Sequence, residues 1–152
     1  MTKRILILGA SGMLGHTLFR LIGENKRYVI GGTLRGDPAK IQPNYLKYHF
    51  VKYNCDAYSI EAFEACICEF KPNVVINCIG AIKQVHFKSD ETNYLNSLFP
   101  HKIAALSEKY NFRLIHFSTD CVFSGTVGNY SENDKADADD CYGRSKLQGE
   151  VT

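Results

Sequence analysis

The run Gly9-Ala10-Ser11-Gly12-Met13-Leu14-Gly15 sets three glycines at G-x-x-G-x-x-G spacing between an apolar stretch and an amphipathic one. Arg4 to Leu8 reads as a buried strand, and Leu14, Leu18, Leu21 and Ile22 follow the i, i+4, i+7, i+8 spacing of a helix. A strand that turns through glycines directly into a helix has a physical use. Gly9 allows the sharp turn, Gly12 lets backbone approach a diphosphate, and Gly15 lets the helix pack close. The helix N-terminus then presents free N–H groups and the positive end of its dipole. The motif predicts a dinucleotide site built from Gly9, Ser11, Gly12, Met13, Leu14 and Gly15, against the plainer reading of a tight turn.

The rest of the chain repeats the alternation. Tyr28 to Thr33, Tyr48 to Val51, Asn73 to Cys78 and Phe112 to Phe117 read as further strands. Their continuous apolar character suits a parallel sheet covered on both faces. Ile60, Phe63, Ile67 and Phe70 mark a second helix. A third spans about Asp90 to Tyr110, with Ser89 as N-cap and Leu95, Phe99, Ile103, Leu106 and Tyr110 on one stripe. Pro100 has no N–H for the carbonyl of Asn96, so this helix should open near Asn96. The expected fold is α/β: a Rossmann-type doubly wound parallel sheet with helices on both faces, in one domain over residues 1–152. The loops Gly36 to Asn44 and Ser118 to Asp140 are long, and the second is long enough to suggest function.

The end of the second strand selects between cofactors. An acid there would bind a ribose 2′-hydroxyl, whereas an arginine can grip a 2′-phosphate. The sequence reads Gly31-Gly32-Thr33-Leu34-Arg35, with no carboxylate before Asp37, so NADP(H) is favoured over NAD(H), with Arg35 as the phosphate contact. A net charge of +2 without a basic stripe argues against nucleic acid. No apolar run approaches a membrane span, and a cytoplasmic location without membrane association is expected. The six cysteines (Cys55, Cys66, Cys68, Cys78, Cys121, Cys141) include no C-x-x-C pair, so they read as mostly buried thiols and no metal site is expected.

Tyr142-Gly143-Arg144-Ser145-Lys146 sets a phenol and an ammonium at i and i+4, on one face of a helix. An ammonium beside a phenol favours phenolate, which suits a group that gives and takes a proton. The fifth strand ends in Ser118-Thr119-Asp120, at the carboxyl edge where open α/β sheets bind ligands. With the glycine loop, Asn77-Cys78-Ile79-Gly80 after strand four and Y-x-x-x-K, the chain resembles the extended short-chain dehydrogenase/reductases. The stretch His116 to Gly125, then Tyr130-Ser131-Glu132 and Tyr142 to Lys146, is similar to the dTDP-4-dehydrorhamnose reductases and related sugar-nucleotide reductases.

That resemblance implies an enzyme. Thr119 would hydrogen-bond the substrate carbonyl, Tyr142 would donate the proton and also contact the cofactor, and Lys146 would hold the nicotinamide ribose while tuning Tyr142. Cys78, Ile79 and Gly80 would border the cofactor. Asn54 and Cys55 fall where the family places an Asp and an apolar residue beside the adenine. Lys83, His86 and Asp120 are candidates near substrate. Related dehydratases carry Thr-Asp-Glu after strand five where this chain has Cys121, so dehydration would lack its base. Asn96 matches an asparagine whose backbone carbonyl can hold a water near the lysine, with an ordinary proline kink as the equal alternative. Relatives are about twice as long, so the expectation is a cofactor-binding part short of the last strands and the substrate-binding domain, and inactive alone. The implied activity is NADPH-dependent reduction of a 4-keto-6-deoxy sugar nucleotide in surface polysaccharide biosynthesis. A non-catalytic NAD(P)-binding module or regulator and a sugar-nucleotide epimerase are the alternatives. The expected partner is a nucleotide-sugar, and a homodimer is one expected assembly.

Overall fold

In a computed structural model, residues 2–36, 49–83 and 88–151 are described. They form two compact units, one of residues up to 79 together with 102–115, the other of residues 80–101 together with those from 116 onward.

The first unit is built on a five-stranded sheet. Its strands are β1 (Lys3–Leu8), β2 (Tyr28–Thr33), β3 (Phe50–Lys52), β4 (Val74–Asn77) and β5 (Arg113–His116), in the spatial order β3-β2-β1-β4-β5. β1 pairs in parallel with β2 (Ile5 opposite Ile30) and with β4 (Ile7 opposite Ile76), and β2 with β3 (Gly32 opposite Val51). The order reverses at β1, because the chain winds outward to β2 and β3 and then returns to β4 on its other side. That is the switch point of a Rossmann-like sheet, where ligands bind beyond the strand ends. Leu6, Ile7 and Leu8 have no exposed surface, as expected of a central strand covered on both faces.

Helix α1 (Met13–Gly23) follows β1, and α2 (Ile60–Phe70) follows β3. α2 buries Phe63, Cys66, Ile67 and Phe70, close to its predicted stripe, and ends where Lys71 takes a left-handed conformation before Pro72. α1 is rotated from the prediction. Leu14 and Leu21 are exposed, while Gly15 and Phe19 are buried with Leu18 and Ile22 packed beside them. Phe19 fills the space over the side-chain-free Gly32 of β2, and this larger contact sets the helix rotation.

In the second unit the predicted third helix is three segments: α3 (Ser89–Asn93), one π-helical turn (Tyr94–Leu98) and the start of α4 (Phe99–Tyr110). The opening at Asn96 is as the proline predicts, since a π turn absorbs the missing hydrogen bond. Ser89 is not the N-cap; it is the first helical residue, and the Glu91 carboxylate closes the end by accepting the Lys88 N–H at 3.1 Å. A short 3₁₀ turn (Asp120–Val122) precedes a long loop and then α5 (Cys141–Gln148). The predicted strand residue Tyr48, the Asp37 position and His86 lie outside the described residues.

Candidate active site

The glycine loop of the first unit is held from two sides. Gly9 sits at φ 78, a left-handed conformation that only glycine adopts without strain. Its N–H donates to the Thr33 hydroxyl at 3.1 Å, and the Ala10 N–H donates to the Thr33 carbonyl at 2.9 Å. Gly12 closes the turn by donating to the Gly9 carbonyl at 3.0 Å and caps α1 with no side-chain bond. A Cβ on Gly15 would collide with the Gly9 carbonyl oxygen, so the helix can start this close to the strand only with glycine there. Ser11, Gly12, Met13 and Leu14 are exposed, and the first turn of α1 carries no acid. Exposed backbone amides at an uncapped helix start, with no competing carboxylate, fit a diphosphate.

The strand ends beside it divide into structural and accessible positions. Thr33 is 1 % exposed and spends its hydroxyl on Gly9, so it organises the loop; Arg35, two residues on, is exposed. Asn54 follows β3 in a left-handed conformation (φ 56), which short amide side chains tolerate. Cys55 is buried, its N–H donating to the Leu34 carbonyl at 2.9 Å, and burial pushes its thiol up to about 11. After β4, the buried Asn77 side chain accepts the Ile79 N–H at 3.0 Å, and Cys78 is half-buried with its thiol raised to about 11 by burial. Ile79 packs against Gly9 at a distance that leaves no room for a Cβ.

The second unit carries the Tyr-Lys helix. Asp140 caps α5 by accepting the Gly143 N–H at 2.6 Å. A Cβ on Gly143 would collide with the Cys121 carbonyl, so this glycine lets α5 press on the turn that follows Thr119. Lys146 is 7 % exposed and its ammonium donates to the Phe117 carbonyl. Burial lowers its pKa, partly countered by the Glu150 carboxylate. Thr119 accepts the Cys121 N–H at 3.2 Å and faces Asp120 at 3.2 Å, which holds its hydroxyl at the strand end.

Asn96 has a role in its side chain that sequence reasoning assigned only to its backbone. Fully buried, it accepts the Ala81 N–H at 2.8 Å and donates to the Ala81 carbonyl at 3.2 Å and to the Ser145 hydroxyl at 3.1 Å. Ser145 in turn donates to the Tyr142 carbonyl at 2.8 Å. One amide thus ties the segment after β4 to the middle of α5. Its backbone carbonyl lies against the Cα of Gly149, where a Cβ would not fit. The Asp140 cap was legible in sequence as an Asp immediately before a helix; nothing local marks Asn96 and Ser145 as partners.

Lys83 lies on the exposed side of α5. Its ammonium pairs with Asp140 at 2.5 Å and sits 5.5 Å from the Tyr142 ring centroid. Gly80 is exposed beside the Asn96 amide. A cleft of about 630 Å³ opens along Ser118, Thr119, Asp120, Tyr130, Leu147 and Glu150; Tyr142 does not line it. His116 is pushed down to about 4 by burial and then by the positive charges of Lys146 and His101.

Of the cysteines, only Cys55 and Cys66 are buried; Cys78 and Cys121 are half-buried and Cys68 and Cys141 exposed, so the expectation of mostly buried thiols is corrected. Cys68 turns outward from α2 because its neighbours Cys66 and Ile67 already occupy the inward face. Among the described residues, no group of three or more His, Cys, Asp or Glu could hold a metal, and no helix is long and apolar enough to cross a membrane.

The sequence profile of the RmlD substrate binding domain family matches residues 3–152. Methionine adenosyltransferase 2 subunit beta of Xenopus tropicalis is 31% identical over 151 residues, covering 97% of this chain and 42% of the relative. dTDP-4-dehydrorhamnose reductase of Aggregatibacter actinomycetemcomitans is 30% identical over 150 residues, covering 97% of this chain and 45% of the relative. The crystal structure of a hypothetical dTDP-4-dehydrorhamnose reductase from Sulfolobus tokodaii matches with a TM-score of 0.78 at 29% identity, covering 96% of this chain and 50% of that one. The chain therefore spans half or less of the length of these relatives.

Proposed function

Because the chain belongs to the RmlD substrate binding domain family, we propose that it binds NADP(H) and serves the NADPH-dependent reduction of a 4-keto-6-deoxy sugar nucleotide in surface polysaccharide biosynthesis. The observation that carries this reading is the polar framework of the second unit, in which the buried Asn96 and Ser145 and the half-exposed cap Asp140 fix the helix that bears Tyr142 and Lys146. In the first unit the glycine loop would take the diphosphate and Arg35 the 2′-phosphate.

The nicotinamide, when bound, supplies the hydride. Thr119 would turn its hydroxyl from Asp120 to the substrate oxygen, while its lone pair stays fixed by the Cys121 N–H. Tyr142 would donate the proton that neutralises the developing alkoxide. An ammonium has three donors; Lys146 uses one on the Phe117 carbonyl, leaving two for the ribose hydroxyls. Cys121 cannot supply the carboxylate base that dehydration needs, which favours reduction.

Calorimetric titration of NADPH and NADH, followed by NADPH oxidation with dTDP-4-keto-6-deoxy sugars in a protein containing the whole catalytic chain, tests the proposal. Tighter NADPH binding and turnover support it, and NADPH binding without turnover of any keto-sugar nucleotide counts against it. A second reading, a cofactor-binding subunit without turnover of its own, is favoured by the 31% identity to a protein named as a subunit. The same pair of measurements separates the two.

A further inference from the structure

We propose that Lys83 is a phosphate-binding, specificity-determining residue, held by Asp140 until the phosphate of a nucleotide-sugar takes the carboxylate's place. The inference rests on the reading of Tyr142 as the proton donor.

The Lys83 ammonium touches two things. It pairs with Asp140 Oδ2 at 2.5 Å, and it lies over the Tyr142 ring, 5.5 Å from the centroid. The pair is not built for stability. Its side chains are 47% and 42% exposed, and an ion pair that open to water adds little to stability. Asp140 has a separate structural duty through its other oxygen, Oδ1, which accepts the Gly143 N–H at 2.6 Å and caps α5. Releasing Lys83 therefore leaves the cap intact, and the helix that carries Tyr142 stays in place. The exchange swaps one anionic partner for another at small cost.

The cations of α5 itself have partners of their own. Lys146 is buried and donates to the Phe117 carbonyl, and Arg144 donates to the Asp139 carbonyl at 2.6 Å. Among the described residues, Lys83 is the exposed cation that lies over the Tyr142 ring. A carbonyl being reduced must reach the Tyr142 hydroxyl, so an anion on Lys83 belongs to a group roughly one sugar ring away from that carbonyl. In a 4-keto sugar nucleotide the phosphate joined to the anomeric carbon occupies that position across the ring. Lys83 would discriminate between substrates that carry this phosphate and neutral sugars that do not.

The test uses UDP and dTDP as probes, with uridine as a neutral control, each titrated into protein saturated with NADPH so that the glycine loop is occupied. Lys83→Met should weaken both diphosphates about tenfold, the effect of losing a charge-assisted bond, and leave uridine unchanged. Asp140→Asn keeps an oxygen for the Gly143 N–H but removes the competing charge, so it should tighten both diphosphates several-fold. A structural ion pair would not produce that gain. NADPH affinity measured in parallel reports on the cofactor reading, so its failure is distinguishable from failure of the phosphate site. Diphosphate affinity unchanged in Lys83→Met, or weakened rather than tightened in Asp140→Asn, would overturn the proposal.

Discussion

The two units place their candidate site residues by different physics. In the first, the glycine loop stands on an apolar cluster that includes Ile5, Ile7, Ala10, Phe19, Ile30 and Ile76. Such packing is non-directional, and its cost of perturbation grows gradually with the volume removed. The second unit places Tyr142 and Lys146 with directional contacts among buried polar groups, Asn96, Ser145 and Lys146. There each bond has one partner, and a lost partner leaves the other desolvated and unpaired. Both regions share one device: a glycine pressed on a backbone carbonyl, Gly15 on Gly9 and Gly143 on Cys121. A phosphate cradle needs only a well-shaped backbone, whereas proton transfer needs side chains held at fixed bearings.

The greatest loss is expected at Tyr142. In a catalytically complete protein Tyr142→Phe should lower turnover about 10²- to 10⁴-fold, the usual contribution of a general acid, and lower NADPH affinity far less. Near-normal kcat in steady-state assays would remove Tyr142 from the proton path and with it the distinction drawn between the units.

Stability gives the next largest effect. Asn96→Leu keeps the γ-branched shape and the number of side-chain heavy atoms but strands the Ala81 N–H and carbonyl, so urea unfolding should show a loss of about 2–4 kcal/mol. Ile7→Val, at an equally buried site of the first unit, should cost about 1 kcal/mol. Similar losses in both would mean that the polar framework is no more exacting than the apolar cluster.

His116 makes the second unit sensitive to pH. Its folded pKa is about 4, depressed from 6.5 by burial, Lys146 and His101. Between those values the unfolded chain binds the proton and the folded one does not, so stability rises with pH across that window and is lost as pH falls through it. Because the ring is partly accessible, the swing should be about 1–2 kcal/mol. His116→Gln should flatten it, and an unchanged pH slope in that variant would assign the effect elsewhere.

The smallest effect is expected in the first unit, where Arg35→Ala should weaken NADPH by about tenfold and leave NADH as it was. Equal losses for both cofactors in calorimetry would show that Arg35 does not read the 2′-phosphate.

The local pattern of residues determined the alternating elements, the glycine loop with its helix, the opening at Asn96 and the placement of Tyr142 and Lys146 on one helix. Each of these depends on neighbours within a few turns of chain: apolar periodicity, a proline without an N–H, glycines at a turn. Tertiary structure alone decided the rotation of α1, where Phe19 over Gly32 outcompeted the Leu14 and Leu21 face. It also decided that Thr33 serves the loop instead of lying open, that Asn96 works through its amide, and that Lys83 meets Asp140 and Tyr142. The physical reason is the same in every case. A side chain's partner is whichever group the folded backbone brings within bonding distance, and Asn96 and Ser145, 49 residues apart, carry no mark of each other in the intervening chain.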